Sequence, residues 1–169
     1  MMKKSGLLAF IICVIFVLGF TGIVLAAGGK ELDIEKSAVT FAREVERGGY
    51  KIVTTQELKS WIDQKKDVLI VDTQPYEASF KKQHYPGAVN FELPRPEMTR
   101  LDDKTKAAFE KFLGPDKNRI IVFYCGFVEC TRSHNGAMWA TRLGYKNAYR
   151  QPGGIRAWNE AEYPVDKVQ

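Results

Sequence analysis

Residues 120–133 read Ile-Ile-Val-Phe-Tyr-Cys-Gly-Phe-Val-Glu-Cys-Thr-Arg-Ser, an apolar run that ends at a cysteine and a short loop. The apolar run predicts a buried strand, and a helix is predicted to begin at about Ser133. Backbone N–H groups at a helix N-terminus have no partner within the helix and stabilise a negative charge. We therefore expect Cys125, at this strand-to-helix turn, to ionise and to act as the nucleophile.

Further strands are predicted on both sides of this stretch, at residues 50–53, 68–71, 89–91 and 147–149. Residues 68–71 are apolar at every position, as expected of a strand that is covered on both faces in a parallel sheet. Segments with a helical apolar face lie between the strands, and the small residues Gly136, Ala137 and Ala140 let one helix approach the sheet closely. The sequence predicts an α/β domain of three layers, a central parallel sheet of about five strands flanked by helices.

The first 29 residues are predicted to be a targeting segment. Lys3 and Lys4 precede an uncharged, mostly apolar run at residues 7–25, and small residues follow it. This run is longer than the ~7–15 residues of a usual signal peptide and close to the ~20 that span a bilayer. Residues 1–29 are therefore either a cleaved signal peptide or a retained anchor in contact with the membrane, and the protein is expected to be exported to a periplasm, free or tethered to the inner membrane.

Residues 30–49 are predicted to form an amphipathic helical linker, which either packs on the domain or separates it from the membrane. The remaining residues, 50–169, form the predicted domain. The formal net charge is +5, and it falls to +3 when Lys3 and Lys4 are left out. Such a weak positive charge does not indicate nucleic acid as a partner.

Several fragments of the domain together resemble a rhodanese homology domain. They are Leu69-Ile-Val-Asp72, Gln83-His-Tyr-Pro-Gly-Ala-Val-Asn90, Val122-Phe-Tyr-Cys125, Leu143-Gly-Tyr-Lys-Asn-Ala-Tyr149 and Pro152-Gly-Gly-Ile-Arg-Ala-Trp158. The resemblance implies a rhodanese-like fold and a catalytic cysteine that carries sulfane sulfur as a persulfide. By position, Cys125 is that cysteine. The active-site loop that it implies comprises Gly126, Phe127, Val128, Glu129, Cys130, Thr131 and Arg132.

The loop departs from the pattern of this family. The family has an arginine where this chain has Cys130, and Arg132 lies two positions further on. Glu129 adds a negative charge that disfavours a dianionic donor, and Gln74 replaces an arginine that often follows the strand-ending aspartate. In an oxidising compartment two nearby thiols pair readily, so Cys130 is a candidate resolving cysteine or disulfide partner of Cys125.

Two further residues are predicted to support the site. Asp72 ends a buried strand and is expected to fix backbone N–H groups of a loop. His134 either helps a nearby thiol to ionise or lies on the surface at the start of the helix. No metal site and no cofactor is predicted.

The sequence leaves three functions open. The first is an exported sulfurtransferase that takes sulfur from a small donor, such as thiosulfate or a persulfide, and passes it to a thiol or an acceptor protein. The second is a thiol-disulfide or sulfur-relay module in which Cys125 and Cys130 cycle together. The third is a non-catalytic binding module. A phosphatase is disfavoured. Phosphatases of a related fold have five residues between the cysteine and the arginine, whereas six residues separate Cys125 from Arg132 here.

Overall fold

A computed structural model describes residues 30–168 of the chain. The targeting segment predicted at residues 1–29 lies outside this range and stays a prediction. The chain divides into two units, Met1–Lys36 and Ser37–Gln169, and the second contains the whole predicted domain. Within residues 30–168, no helix is both long and apolar enough to cross a membrane.

Helices and strands alternate along the described chain. In order they are helix α1 (Lys30–Gly48), strand β1 (Lys51–Ile52), α2 (Thr55–Asp63), β2 (Val68–Asp72), a π-helical turn (Tyr76–Phe80), β3 (Val89–Asn90), α3 (Asp103–Leu113), β4 (Ile120–Tyr124), α4 (Thr131–Arg142), β5 (Asn147–Arg150) and α5 (Gly154–Glu160). The predicted α/β class is confirmed.

The five strands form one sheet in the order β1-β5-β4-β2-β3, and every neighbouring pair is parallel. Strand β4 lies at the centre and pairs with β2 on one side and β5 on the other. Because parallel strands all point the same way, the loops that follow β2, β4 and β5 meet at one edge of the sheet. This edge is where ligands bind in open α/β sheets.

The alternation of side chains along β4 separates two apolar clusters. Ile121 and Phe123 pack on one face with side chains of α3 and α4, whereas Val122 and Tyr124 pack on the other face with side chains of α2 and α5. On the first face α4 approaches the sheet closely, because a Cβ atom at Gly136 would lie 2.5 Å from Cδ1 of Phe123. The predicted three layers are therefore present.

Two differences from the predicted elements bear on the site. Helix α4 begins at Thr131 rather than at about 133, so its N-cap residue is Cys130. From Ser37 onward helix α1 packs on the domain, with Val45 against the first apolar cluster and Glu44 buried. This part of α1 therefore contributes to the folded domain instead of separating it from another structure.

Candidate active site

Both cysteines of the domain lie in the loop that joins β4 to α4. Cys125 directly follows the strand and is fully buried, and Cys130 has 3% of its surface exposed. Both are free thiols. Two reduced, buried sulfur atoms therefore lie at the edge of the sheet where ligands bind in open α/β sheets.

The sulfur atom of Cys125 faces mainly oxygen atoms. Its S–H group donates a hydrogen bond to the carbonyl oxygen of Cys130 at 3.0 Å, and the carbonyl oxygen of Phe127 lies 3.9 Å away. The hydroxyl oxygen of Ser133 is 3.3 Å from the same sulfur. Burial raises the pKa of the Cys125 thiol well above its ordinary range, and contact with Cys130 raises it further. Carbonyl oxygens accept a hydrogen bond from a thiol but repel a thiolate, whereas the hydroxyl and the backbone N–H of Ser133 lower the pKa of Cys125 and oppose this effect.

Cys130 is the N-cap residue of α4, and its side chain makes no cap hydrogen bond. The neighbouring Cys125 thiol is the main reason why the pKa of Cys130 is lowered, to about 5. The backbone N–H groups of Gly126 and Arg132 and the Arg132 side chain lower this pKa further, against the opposing effect of burial. These groups favour the thiolate form of Cys130.

The early start of α4 brings its first turn close to both cysteines. Cys130 is the N-cap residue, and the backbone N–H of Ser133, in the same turn, favours a thiolate at Cys125 against the effect of burial. That the thiolate forms at Cys125 stays a prediction. The role of Cys125 as the catalytic nucleophile stays a prediction from the resemblance.

A buried arginine that the sequence did not predict as a site residue is hydrogen-bonded to the cysteine loop. Arg150, the last residue of β5, is fully buried. Its guanidinium donates hydrogen bonds to the carbonyl oxygens of Val128 at 2.8 Å and Cys130 at 3.3 Å, and to the Ser133 hydroxyl at 3.1 Å. Arg150 therefore fixes both the backbone of the loop and the hydroxyl that contacts the Cys125 sulfur.

Helix α1 provides the counter-charge for this arginine. Glu44 Oε2 lies 2.5 Å from Nη1 of Arg150, and the Tyr50 hydroxyl accepts a hydrogen bond from the same nitrogen at 3.2 Å. The Thr131 hydroxyl donates a weaker hydrogen bond to Glu44 at 3.5 Å. The burial of Glu44 has one indication in the sequence: Glu44 lies three positions after Phe41, on the apolar side of the predicted amphipathic helix.

His134 is fully buried, so the expectation of a surface histidine is wrong. Its Nδ1 is hydrogen-bonded to the Tyr50 hydroxyl at 3.0 Å, and its Nε2 lies 3.5 Å from a carboxylate oxygen of Glu97. Burial lowers the pKa of His134. Within the described residues, no hydrogen bond joins this imidazole to either cysteine, so it supports the packing beneath the loop.

Asp72 organises the neighbouring loop, after β2. Its carboxylate accepts the Gln74 backbone N–H at 2.8 Å and the Gln74 side-chain amide at 3.3 Å. Burial raises the pKa of Asp72. The Gln74 side chain extends toward the cysteine loop, since a Cβ atom at Gly126 would lie 3.2 Å from its Oε1. Asp72 therefore positions Gln74 next to the cysteine loop.

The outer face of the cysteine loop combines an aromatic ring with exposed charges. The guanidinium groups of Arg156 and Arg95 lie 4.4 and 5.8 Å from the centre of the Phe127 ring. Val128 and Glu129 are exposed, and the Glu129 carboxylate is hydrogen-bonded to the Ser37 hydroxyl. Its charge is thus directed toward α1. No cluster of His, Cys, Asp and Glu side chains within residues 30–168 could hold a metal ion.

The fold and this loop define a parallel α/β domain with a two-thiol site at the sheet edge. A family model described as Rhodanese-like domain matches residues 54–161. The chain belongs to this family. No curated protein matches the sequence.

Solved structures share the fold at low sequence identity. Thiosulfate sulfurtransferase from Pseudomonas aeruginosa superposes with a TM-score of 0.60 and 18% identity, covering 79% of this chain and 23% of that chain. The polysulfide-sulfur transferase homodimer from Wolinella succinogenes gives 0.56 and 14%, covering 84% and 94%. A protein of unknown function from Rhodopseudomonas palustris, described as a possible tyrosine phosphatase, gives 0.55 and 20%, covering 75% and 93%. At these identities the likeness concerns the fold alone.

Proposed function

We propose that this protein is an exported sulfurtransferase that carries sulfane sulfur as a persulfide on Cys125. The observation that carries the proposal is the position of Cys125, a free thiol in the loop that directly follows the central strand, with the Ser133 hydroxyl 3.3 Å from its sulfur. Membership of the rhodanese-like family supports it, and the resemblance assigns the persulfide to Cys125.

The reaction has two nucleophilic steps. A cysteine thiolate attacks the outer sulfur of a donor such as thiosulfate, so that a new S–S bond forms while sulfite leaves with the electron pair of the broken S–S bond. An acceptor then attacks the outer sulfur of the persulfide and the cysteine thiolate is regenerated. Cyanide, a small thiol or a thiol of an acceptor protein has the required chemistry. No metal or cofactor takes part in either step.

The loop supplies electrostatic stabilisation for the first step. The Ser133 hydroxyl lies 3.3 Å from the Cys125 sulfur, and a donor held in this position stabilises an anionic sulfur without reorganisation. Arg95 and Arg156 at the outer face favour the approach of an anionic donor. Because Glu129 is hydrogen-bonded to Ser37, its charge opposes this approach less than its place in the loop suggests.

The decisive assay is thiocyanate formation from thiosulfate and cyanide by the reduced full chain. We expect turnover by the wild type and none by the double variant Cys125→Ser/Cys130→Ser. The matched control is Asn159→Ser, an exposed position on α5 outside the loop, which is expected to retain the activity. Turnover by the double variant would contradict the proposal.

The second candidate, a thiol-disulfide relay, is favoured by the presence of two free thiols in one loop, with the Cys125 sulfur 3.0 Å from the Cys130 carbonyl oxygen. Exchange with an oxidised partner would oxidise both cysteines to a disulfide while the partner is reduced to a dithiol. Free-thiol counting by mass spectrometry on protein isolated from its native compartment tests this idea. Two cysteines that become reactive only after mild reduction would support it, whereas persulfide at either position supports the sulfurtransferase. A protein with neither property would be the non-catalytic binding module.

Export is a separate part of the proposal and rests on residues 1–29. We expect the protein in the membrane or periplasmic fraction. The mass of the mature chain distinguishes a cleaved signal peptide from a retained anchor. Recovery of the full-length chain from the cytoplasm alone would contradict export.

A further inference from the structure

Two exposed guanidinium groups lie at the outer face of the cysteine loop without a carboxylate partner. Those of Arg95 and Arg156 are 5.8 and 4.4 Å from the centre of the Phe127 ring, at the loop tip. Within residues 30–168, neither takes part in an ion pair. A guanidinium held against an aromatic ring keeps the N–H groups at its edge available for a carboxylate. We call Arg95, Phe127, Val128 and Arg156 the loop rim.

The backbone at Arg95 is fixed by a buried side chain of α4. The Asn135 amide group donates hydrogen bonds, both at 2.9 Å, to the carbonyl oxygens of Pro94 and Pro96, the two neighbours of Arg95. Its Oδ1 accepts the Met98 N–H at 2.9 Å. Asn135 is fully buried, and each proline ring restricts φ. The chain therefore holds an exposed cation at a defined place beside the loop.

The backbone at Arg156 is bound to the cysteine loop itself. The N–H groups of Ile155 and Arg156 donate hydrogen bonds to the carbonyl oxygens of Cys125 and Gly126 at 2.9 and 3.1 Å. The contact is close, since a Cβ atom at Gly154 would lie 2.3 Å from the Cys125 carbonyl oxygen. The start of α5 therefore keeps the second cation at a fixed place relative to the predicted nucleophile.

The composition of the loop rim fits a protein surface better than a single small anion. Arg95 belongs to a segment bound to α4 and Arg156 to α5, and these helices cover opposite faces of the sheet. The two cations therefore lie on either side of the loop tip. Between them are the half-buried Phe127 and Val128, which is 40% exposed. Arginine and aromatic side chains are enriched in protein–protein interfaces and dominate their binding energy.

We propose that the loop rim binds an acidic segment of an acceptor protein, whose acceptor thiol is flanked by aspartate or glutamate. The proposal rests on the proposed sulfurtransferase function and names the class of acceptor. The acceptor thiolate attacks the outer sulfur of the Cys125 persulfide. A new S–S bond forms on the acceptor, and Cys125 leaves as a thiolate with the electron pair of the broken S–S bond. Glu129 does not neutralise the loop rim, because its carboxylate is hydrogen-bonded to Ser37.

The test measures sulfur transfer from the full chain to two peptides that differ in charge. The protein is loaded with thiosulfate, separated from it, and mixed with Asp-Asp-Cys-Glu-Glu or with Asn-Asn-Cys-Gln-Gln, both blocked at their termini. Each rate is divided by the rate at which the same peptide reduces hydroxyethyl disulfide, which corrects for the different thiol pKa values. We expect the wild type to favour the acidic peptide about tenfold at low salt, and less as the salt concentration rises.

Two charge-matched variants locate the origin of this preference. Arg95→Gln/Arg156→Gln removes both cations of the loop rim. Lys111→Gln/Lys146→Gln removes two exposed cations at the opposite edge of the sheet, where β4 and β5 begin. We expect the preference for the acidic peptide to be lost in the arginine variant and retained in the lysine variant. The neutral peptide should react equally fast with the wild type and both variants.

Several outcomes would overturn the proposal. A preference that survives in the arginine variant would do so, and so would an equal loss in the lysine variant, because net charge would then explain it. If the arginine variant were slowed as much in loading from thiosulfate as in transfer to the acidic peptide, the loop rim would bind the small donor instead. Absence of sulfur on the wild type would overturn the proposed function.

A binding measurement tests the loop rim without sulfur transfer. The peptide Asp-Asp-Ser-Glu-Glu, labelled with a fluorophore, cannot react, and its anisotropy reports binding to the reduced full chain. We expect the arginine variant to bind it about tenfold more weakly than the wild type and the lysine variant do. Equal affinities of the wild type and the arginine variant would overturn the proposal, whether or not the protein transfers sulfur.

Discussion

The loops that follow β2 and β4 lie side by side at the same edge of the sheet, but different hydrogen-bonding groups stabilise them. After β2 the chain satisfies its own polar groups. The Asn90 amide donates to the carbonyl oxygens of Asp72 and Gln74 at 3.0 and 2.8 Å, and Asp72 accepts the Gln74 N–H. After β4 the loop carbonyl groups are bound by Arg150, whose charge is balanced by Glu44.

The two loops differ in the sequence separation of the residues whose hydrogen bonds stabilise them. The partners in the β2 loop are within 18 positions of each other, whereas Glu44 and Arg150 are 106 positions apart. Glu44 also lies outside residues 54–161, the part that matches the family. The loop that holds the two cysteines therefore depends on helix α1, which lies outside the residues that the family model matches, and its geometry can be lost without any change in the loop itself.

The largest expected effect is that of Arg150→Met. The change leaves the Glu44 carboxylate buried without its partner, and it removes the donors to the Val128 and Cys130 carbonyl oxygens. Loss of one member of a buried ion pair costs about 3–5 kcal/mol of unfolding free energy. Urea unfolding of the full chain measures this, and the Cys125 and Cys130 alkylation rates should become more alike.

A matched control exists one turn further along α1. Arg47 forms an ion pair with Glu97 at 2.8 Å, with 48% and 37% of the two side chains exposed. Exposed pairs contribute about 0–1 kcal/mol, so Arg47→Met should change the unfolding free energy by no more than this. Equal losses in the two variants would show that the buried pair has no special role beneath the loop.

The next effect is that of Asp72→Ala, in the loop that supports itself. The carboxylate is fully buried and accepts a backbone N–H and a side-chain amide. Leaving buried donors without an acceptor costs about 1–3 kcal/mol, less than Arg150→Met. Urea unfolding of the two variants under one set of conditions makes the comparison. A loss larger than that of Arg150→Met would reverse the order of importance of the two loops.

The features that the sequence predicted are those encoded locally. Continuous apolar runs predicted the strands at residues 68–71 and 120–124, and parallel pairing followed because both are buried on two faces. The small residue Gly136 predicted a close approach of helix and sheet, and the contact with Phe123 confirms it. Such patterns extend over a few residues, and side-chain periodicity determines them.

The features that the sequence did not predict arise from tertiary contacts. No periodic pattern distinguishes a helix that begins at Thr131 from one that begins at 133, and that difference of two positions moves the helix N-terminus to Cys130. An arginine in a strand and a glutamate on a helix usually indicate exposed positions. Only the packing of α1 on the sheet brings Arg150 and Glu44 together and buries both, and the burial of His134 has the same origin.

A different kind of effect concerns the pH dependence of stability. The pKa of Cys130 is lowered to about 5 from an ordinary value of 9.0, so its thiolate stabilises the folded state. This contribution is fully present above the unfolded pKa and is lost as the pH falls through about 5. The stability of the wild type relative to Cys130→Ser should therefore increase with pH across this window. Urea unfolding at several pH values measures it.

Two measurements test whether the thiolate of Cys130 causes this pH dependence. Arg132→Gln should raise the pKa of Cys130, because the Arg132 side chain is one of the groups that lower it. The ultraviolet absorbance of the thiolate gives the midpoint directly. A stability difference that stays constant with pH would mean that Cys130 is protonated in the folded protein.

The smallest effect is expected at the start of α2, on the face of the sheet opposite to α4. The Thr54 hydroxyl accepts the Glu57 N–H at 3.2 Å, and the Glu57 carboxylate accepts the Thr54 N–H at 2.8 Å. Removal of such an N-cap costs about 1 kcal/mol, so Thr54→Ala should lower the unfolding free energy by this amount, while Thr54→Ser should restore it. The hydrogen bonds of the cap lie within four residues and, like those of the β2 loop, do not involve Arg150 or helix α1. The alkylation rates of both cysteines should therefore be unchanged. A changed rate at Cys130 would mean that the support of the reactive loop extends through the sheet, beyond Arg150 and helix α1.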